Sequence, residues 1–358
     1  EEFGGGGGGG GVDPSLLRQS AVLFDASLGA GRLDVLCGVL ADHFLSNGGG
    51  EGQGGGEGGG APSAAAAPLA RTAQSCLVFC ETRAECAEVA TFLQRRGASA
   101  LALHGDLEQT ARDKVLACFR GGSCRVLVAT SVASRGLDVA NLALVVQLAP
   151  AQDPATHTHR AGRTARAGNA GRAVVLVATS YRDSASGGLA DQKAEQRKVA
   201  NGKAAVRRDT GGRLPPAGDF VRLNAIEKAS LAAGGSVIER VKWDQKGRVA
   251  ALIAGGKSGS SLKCWESAWE TVLVMGGRKD KLRPGDVLGA LTALKDSSSG
   301  GGEGGESGLL FAGGDVGVIE VTETKTWVAV KRGLAGQAAE GLSAGRIKKK
   351  KYKVHVAR

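Results

Sequence analysis

Short apolar runs alternate with segments of helical period between Ser75 and Thr179, and this alternation constrains the fold more than any other feature of the chain. Because the runs are apolar on both faces and are joined through helices, they predict a parallel sheet that is covered on both sides. Ligands bind such sheets at the carboxyl ends of the strands. The predicted strands are Cys76–Cys80, Ser99–Leu103, Arg125–Ala129, Leu142–Leu148 and Ala173–Ala178.

Two of the intervening helices carry start and stop signals. Thr82 and Glu85 have capping-box spacing, and Gly97 is placed to end that helix. Asp106 with Gln109 repeats the start signal for a helix that runs to Gly121.

A second pattern begins at about Ser267 and gives the order β-α-β-β-α-β over about ninety residues. This is the split arrangement of ferredoxin-like and RRM-type folds, so we expect a small α+β module. Its predicted elements are Thr271–Met275, Pro284–Leu294, Val316–Val321, Thr326–Val330, Leu334–Leu342 and Tyr352–Val356.

Composition separates these regions. The 58 glycines cluster in tracts that cannot bury apolar surface. The segment Val22–Leu45 predicts a strand and a helix that pack on the domain that follows. A possible hairpin lies at Val237–Ile253. We therefore divide the chain into residues 1–70 (partial N-terminal segment with a glycine-rich linker), 71–180 (α/β domain), 181–265 (insertion or linker) and 266–358 (α+β module).

The net charge of +11 indicates a polyanionic partner. An anionic membrane is the competing interpretation, but no basic amphipathic helix, bilayer-spanning apolar stretch or signal peptide is evident. The seven cysteines are scattered without a Cys-x-x-Cys pair, so we expect small buried hydrophobes in a reducing compartment and no metal site.

The run His159–Gly168 reads His-Arg-Ala-Gly-Arg-Thr-Ala-Arg-Ala-Gly. Arg160, Arg163 and Arg166 recur at steps of three, which predicts one cationic stripe along a helix. Guanidinium groups match phosphate oxygens, and such a stripe suits the charge that develops on a transferring phosphoryl group. The alternative is a solvated basic helix face.

Four polar segments stand where predicted strands meet loops. Each has a structural alternative, since Thr82 and Asp106 can act as helix caps and Arg135-Gly136 can form a turn. Their occurrence together and in order favours a site. They are Phe79–Arg83, His104–Gln109 with Arg112, Thr130–Asp138, and His159–Gly168.

This order resembles the second RecA-like domain of DEAD-box RNA helicases over about residues 70–180. Phe79–Arg83 resembles motif IV, Gln109-x-x-Arg112 the Gln-x-x-Arg element, Thr130–Asp138 motif V and His159–Arg166 motif VI. Two residues depart from motif V: Ser131 stands where the family has Asp, and Ser134 stands where it has Ala.

The resemblance implies roles for individual residues. Arg163 and Arg166 would reach the γ-phosphate of ATP, with Arg166 as the arginine finger, and His159 would relay between the two RecA-like domains. Asp138 would contact the ATP ribose, and Gly136 would lie at the nucleotide and beside the RNA. The remaining residues implied along the RNA backbone are Thr82, Arg83, His104, Gly105, Asp106 and Thr130, with Arg112 as their support.

The C-terminal module resembles the RNA-binding domain of the DbpA subfamily, which implies an anchor on ribosomal RNA. Two clusters of basic residues would flank strands and form a single rim for phosphates. For the lysine run the alternative is a frayed tail. Trp327 and Tyr352 could stack on bases, although core packing is the favoured interpretation. The rim residues are Arg278, Lys279, Lys281, Arg283, Lys348, Lys349 and Lys350, continued by Lys351 and Lys353.

In DEAD-box helicases the first RecA-like domain holds Mg²⁺ and the ATP phosphates, and its phosphate-loop and Asp-Glu-Ala-Asp motifs are not found in this sequence. Ala251-x-x-x-x-Gly-Lys-Ser258 matches a permissive phosphate-loop pattern, but Gly259-Ser-Ser is a poor helix start. We therefore expect the C-terminal, arginine-finger part of an ATP-dependent RNA helicase that remodels structured RNA, in particular ribosomal RNA during ribosome assembly, and that is inactive alone.

The alternatives are a non-catalytic RNA-binding protein with a relic helicase domain and a related helicase that acts on DNA. We expect a monomer with no membrane partner. The compartment stays open between nucleolus, cytoplasm and plastid.

Overall fold

A computed structural model describes nine parts of the chain. The predictions on Gly136, on Asp138 and on the pattern Ala251–Ser258 lie outside them. The described residues are 15–25, 31–47, 75–134, 142–166, 168–179, 216–243, 265–294, 311 and 314–357.

Seven strands of the described chain form one sheet in the order β3-β4-β2-β5-β6-β1-β7. The pairings β3–β4, β5–β6, β6–β1 and β1–β7 are parallel, which confirms the predicted α/β class. The strands are β1 (Leu17–Asp25), β2 (Cys76–Cys80), β3 (Ala100–Leu103), β4 (Val126–Thr130), β5 (Leu144–Gln147), β6 (Gly171–Thr179) and β7 (Ile238–Lys242).

Helices connect these strands. The Thr82 hydroxyl caps α2 by accepting from the Glu85 backbone N–H at 3.1 Å, and Gly97 follows its end with φ +84°, as predicted. At α3 the capping prediction was wrong, because Glu108 occupies the N-cap and Asp106 lies outside the helix. The helices are α1 (Arg32–Asn47), α2 (Arg83–Arg95), α3 (Gln109–Arg120), α4 (Ser131–Ser134), α5 (Pro154–Ala161) and α6 (Pro216–Ala232).

The sheet extends beyond the predicted range 71–180. β1 pairs with β6 along its whole length, so the N-terminal strand belongs to the sheet. Residues 216–243 are not a linker, because α6 leads into β7 and β7 pairs in parallel with β1. A hairpin was predicted at Val237–Ile253. In the described part of this segment, β7 instead pairs in parallel with β1.

The chain divides into two compact units, which we describe separately. The first contains β1, most of α1, the end of β2, β5, α5, β6, α6 and β7. The second contains α2, β3, α3, β4, α4 and the whole C-terminal region from Trp265.

The C-terminal elements follow the predicted order β-α-β-β-α-β. Their four strands form an antiparallel sheet in the order β11-β8-β10-β9, and a core of apolar side chains lies between this sheet and its two helices. The elements are β8 (Trp269–Val274), α7 (Pro284–Thr292), β9 (Val316–Val321), β10 (Thr326–Lys331), α8 (Ala335–Ala344) and β11 (Val354–Val356).

The other face of this small sheet packs against the end of α3 within the second unit. A Cβ built on Gly121 would lie 3.4 Å from the Ala329 Cβ, and the hydroxyls of Ser123 and Thr271 are 2.6 Å apart. Arg120 pairs with Glu320 at 2.5 Å. The sheet face is therefore an internal contact of this unit.

Of the seven cysteines, the six that the structure describes are buried, as predicted, and are free thiols. Burial raises the pKa of the Cys86 thiol to about 11, which keeps it protonated near neutral pH. None of the described helices combines the length and apolar character needed to cross a bilayer, and no described cluster of His, Cys, Asp or Glu could hold a metal ion.

Candidate functional site

The run His159–Gly168 does not form a single helix. Asp153 caps α5 by accepting from the Thr156 N–H at 2.8 Å, and Pro154 occupies the first turn. The helix ends at Ala161 with Gly162 as its C-cap. The predicted helical stripe was therefore wrong, because only Arg160 of the three arginines lies on α5.

Arg160 is a buried structural cation, 5% exposed. Its Nη2 donates to Glu81 Oε1 at 3.0 Å, and its guanidinium lies 5.4 Å from the centre of the Phe79 ring. Glu81 follows β2, so this ion pair joins the segment after β2 to α5. No individual role was predicted for Glu81, although a carboxylate directly after a buried strand is a recognisable signal.

Arg163 and Arg166 lie in the turn that follows α5, and both are half-buried. Burial, followed by the charge of Arg166, lowers the pKa of Arg163. The Nε atom of Arg166 is buried and has no hydrogen-bond partner among the described residues. Clustered, partly desolvated cations of this kind favour an anionic ligand.

The backbone of this turn is tightly held. Ala165 adopts the left-handed conformation at φ 54°, which is uncommon for a residue other than glycine, and it is 1% exposed. A Cβ on Gly171 would collide with the side chain of Thr164, which is fully buried. The start of β6 thus packs on the turn and fixes its path between Arg163 and Arg166.

A chain of buried and half-buried polar groups, which was not predicted from the sequence, also fixes α5. His157 Nδ1 lies 2.9 Å from Gln147 Nε2, and His157 Nε2 lies 2.9 Å from Gln19 Oε1. The Gln19 amide continues to the Ser236 hydroxyl at 2.9 Å. Burial, followed by the charge of Arg160, lowers the pKa of His157 to about 4, so the ring is neutral near pH 7. The predicted relay His159 is exposed on the same helix.

In the second unit, Thr82, Arg83 and Asp106 lie where β2 and β3 end. Thr82 caps α2, and exposed Arg83 pairs with exposed Asp106. Gly105 is exposed and has open space around its Cα, while the Nδ1 of the adjacent His104 is buried without a hydrogen-bond partner in the described chain. The structure thus brings these predicted residues into neighbouring loops.

Thr130 ends β4 and begins the short helix α4. Its hydroxyl accepts from the Ala133 N–H at 3.4 Å. The Arg112 Nη2 donates to the Ala133 carbonyl oxygen at 2.5 Å. Arg112 therefore supports the Thr130 turn from α3.

The two basic loops of the C-terminal module meet, as the single-rim prediction requires. Lys348 Nζ donates to the Lys281 carbonyl oxygen at 3.1 Å, and Lys350 Nζ lies 3.2 Å from Asp280 Oδ1. Lys281, Lys348 and Lys349 all have positive φ, which marks tight turns. Arg278 and Lys279 lie in the short 3-10 turn beside them, and Arg283 occupies the N-cap of α7.

The lysine run is not a frayed tail. Ile347, which precedes it, is 1% exposed and belongs to the core. Tyr352 is buried against Gly276, whose Cβ position the ring would occupy, and Trp327 is 4% exposed. The core interpretation of both aromatic residues is confirmed.

Comparisons with known proteins support the resemblance to RNA helicases. Residues 65–168 match the helicase conserved C-terminal domain. The chain is 36% identical over 282 residues to the ATP-dependent RNA helicase DbpA of Escherichia coli, which covers 79% of this chain and 47% of DbpA. It is 45% identical over 103 residues to the ATP-dependent rRNA helicase RRP3 of Yarrowia lipolytica, covering 29% of this chain and 22% of that protein.

Among solved structures, a DEAD box protein from Methanococcus jannaschii has a TM-score of 0.39 at 25% identity, over 64% of this chain and 42% of that one. The chain spans less than half the length of both curated relatives. Residues 65–168 are thus similar to the helicase conserved C-terminal domain, and the chain as a whole is similar in sequence to ATP-dependent RNA helicases.

Proposed function

We propose that this chain is the C-terminal part of an ATP-dependent RNA helicase of DbpA type. In this proposal the α/β domain is the second RecA-like domain and supplies the arginine half of an ATP site. The C-terminal module is an RRM-like domain that anchors the enzyme on structured RNA. The chain covers only part of the length of its relatives, so the activity of the whole protein is part of the proposal.

The observation that carries the catalytic proposal is the turn that holds Arg163 and Arg166. Arg163 is half-buried near the charge of Arg166, which lowers its pKa, and an anion bound at this turn would stabilise both cations. The unpartnered Nε of Arg166 gives such an anion a donor. Both features suit the γ-phosphate of ATP, and the two arginines are donors that bind phosphate oxygens but cannot hold Mg²⁺.

The residues of this chain would act on ATP by charge stabilisation. Arg166 would neutralise charge that develops on the phosphoryl group, and Arg163 would bind the same phosphate. Arg160 would position this turn through its pair with Glu81, and His159 would face the first RecA-like domain. ATP, with Mg²⁺ held by that first domain, supplies the reacting phosphate.

The RNA proposal has two parts. Thr82, Arg83, Asp106 and the Thr130 turn lie in loops at strand ends, where short polar groups suit contacts to a sugar-phosphate backbone. The basic rim of the C-terminal module adds a second, electrostatic contact. The similarity to the rRNA helicase RRP3 supports ribosomal RNA as the target.

The test separates binding from turnover. We expect the purified chain to bind a ribosomal RNA hairpin but to hydrolyse ATP at no measurable rate, and to gain RNA-stimulated hydrolysis when fused to the first RecA-like domain of a DEAD-box helicase. Robust turnover by the chain alone would refute the half-site. RNA binding without turnover in the fusion would favour the non-catalytic alternative.

A further inference from the structure

A cleft of about 730 Å³ lies in the C-terminal module, between the 3-10 turn, the start of α7 and strand β9. Its volume falls within the range of small-ligand sites, roughly 300–1,000 Å³. Four cationic side chains line it: Arg278, Lys281, Arg283 and Lys348. The exposed rim is thus not a flat basic surface but includes a concave site.

The rest of the lining does not suit a bare phosphate. Leu282, Pro284, Ile319 and Val321 give the cleft an apolar part. An inorganic anion offers no apolar surface, so binding it would bury none of these side chains favourably. A ligand with an uncharged, apolar face would bury them and so stabilise the complex through the hydrophobic effect. The site therefore fits a ligand that combines a phosphate with an apolar, planar portion.

The wall that β9 gives the cleft has a polar edge. Ile319 and Val321 share one face of β9, whereas the Glu320 carboxylate lies on the opposite face, where its Oε1 accepts from Arg120 Nη1 at 2.5 Å. β9 is also an edge strand of the described sheet, so its outer backbone groups face no further strand there.

We propose that this cleft binds one unpaired nucleotide of RNA, with the phosphate at the four cations and the base against the apolar wall beside the edge of β9. The proposal rests on the RNA-binding function proposed above and adds that the module selects an extruded nucleotide. A base stacked inside a duplex cannot enter the cleft, because its faces are covered by its neighbours.

The probe is a short RNA hairpin with a single bulged 2-aminopurine, compared with the same hairpin in which that base is paired. The full chain is expected to bind the bulged RNA roughly tenfold more tightly, a difference of about 1.4 kcal/mol. Emission of the bulged base is expected to rise on binding, because the described lining residues include no aromatic side chain to quench it.

Two variants locate the effect. Lys281→Gln and Val321→Trp alter cations or space inside the cleft, and each is expected to abolish the preference for the bulged RNA. The matched control is Lys279→Gln, which changes a lysine of the same turn that does not line the cleft. It is expected to weaken both RNAs alike and to leave their ratio unchanged.

Equal binding of the two hairpins, with unchanged emission, would overturn the nucleotide site and leave RNA binding intact. A preference that survives both cleft variants would also overturn it. If neither hairpin binds, the proposed RNA function itself fails.

Discussion

The arginine turn after α5 and the basic rim of the C-terminal module both concentrate positive charge, but they hold it differently. In the turn, Arg163 and Arg166 are half-buried on a backbone fixed by Thr164, Ala165 and Gly171. In the rim, Lys348 and Lys350 are exposed and pair with nearby acidic residues. Fixed, desolvated charge suits the geometry of a reaction, whereas exposed charge suits salt-dependent attraction to a polyanion.

The largest effect is expected at the arginine turn. In the chain fused to a first RecA-like domain, Arg166→Ala should lower RNA-stimulated ATP turnover by roughly 10³-fold or more, because an arginine finger stabilises the transition state. Steady-state phosphate release measures it. Arg172→Ala, which removes an exposed arginine paired with Asp42, is the control and should leave turnover unchanged. Turnover that survives Arg166→Ala would show that the finger is assigned to the wrong residue.

The next effect concerns stability. Arg160→Met should lower the free energy of unfolding by about 3–5 kcal/mol, because it leaves Glu81 charged and partly buried beside an apolar side chain. Arg83→Met removes an exposed pair with Asp106 and should cost about 1 kcal/mol or less. Urea unfolding of the two variants gives the comparison. Equal losses would mean that Arg160 is not a buried anchor.

The segments that carry Arg83 and Arg160 show which features could be predicted from the sequence. β2 has the predicted bounds and Thr82 caps α2, because a continuous apolar run and a capping spacing are local signals. The arginine stripe failed for a local reason too: steps of three suggested a helix, but Gly162 ends α5 and Ala165 turns left-handed. The backbone conformations of Gly162 and Ala165 therefore ended the helix, although the spacing of the arginines suggested that it continues.

Other errors came from distant pairing. β1 and β7 join the sheet through partners far away in sequence, and no local sequence feature of either segment predicts which strand it pairs with. The contact of Arg120 with Glu320 likewise depends on the docking of a module 200 residues further along. Burial of His157 could have been suspected from Gln147, a polar residue at the end of an apolar strand.

The third effect is a pH dependence at His157. The unfolded chain takes up this proton near pH 6.5, whereas the buried ring does so only near pH 4, so protons favour unfolding in this window. Stability that is complete above about pH 6.5 should fall by on the order of 3 kcal/mol as the pH approaches 4.

Gln147, Gln19 and Arg160 face the ring, so His157 is the titrating member of this cluster. His157→Gln keeps a neutral hydrogen-bonding side chain and should flatten this part of the profile. Unfolding free energies of both proteins between about pH 7.5 and pH 4 measure the difference. If the two profiles run parallel, the ring takes no part in the dependence.

The smallest effect is expected at the rim. Its salt dependence distinguishes exposed charge, as in the rim, from fixed and half-buried charge, as in the arginine turn. Each lost phosphate contact should reduce the slope of log affinity against log salt by about 0.7–0.9, so Lys349→Gln should lower RNA affinity at low salt and little at high salt. Fluorescence anisotropy across a salt series measures the slope. Arg332→Gln removes an exposed arginine that pairs with Glu266, outside the rim, and should leave the slope as it is. If Lys349→Gln leaves the slope intact, the rim does not touch phosphates through this residue. If it weakens binding equally at all salt concentrations, its contact is fixed in the manner of the arginine turn, and the contrast between the two regions would disappear.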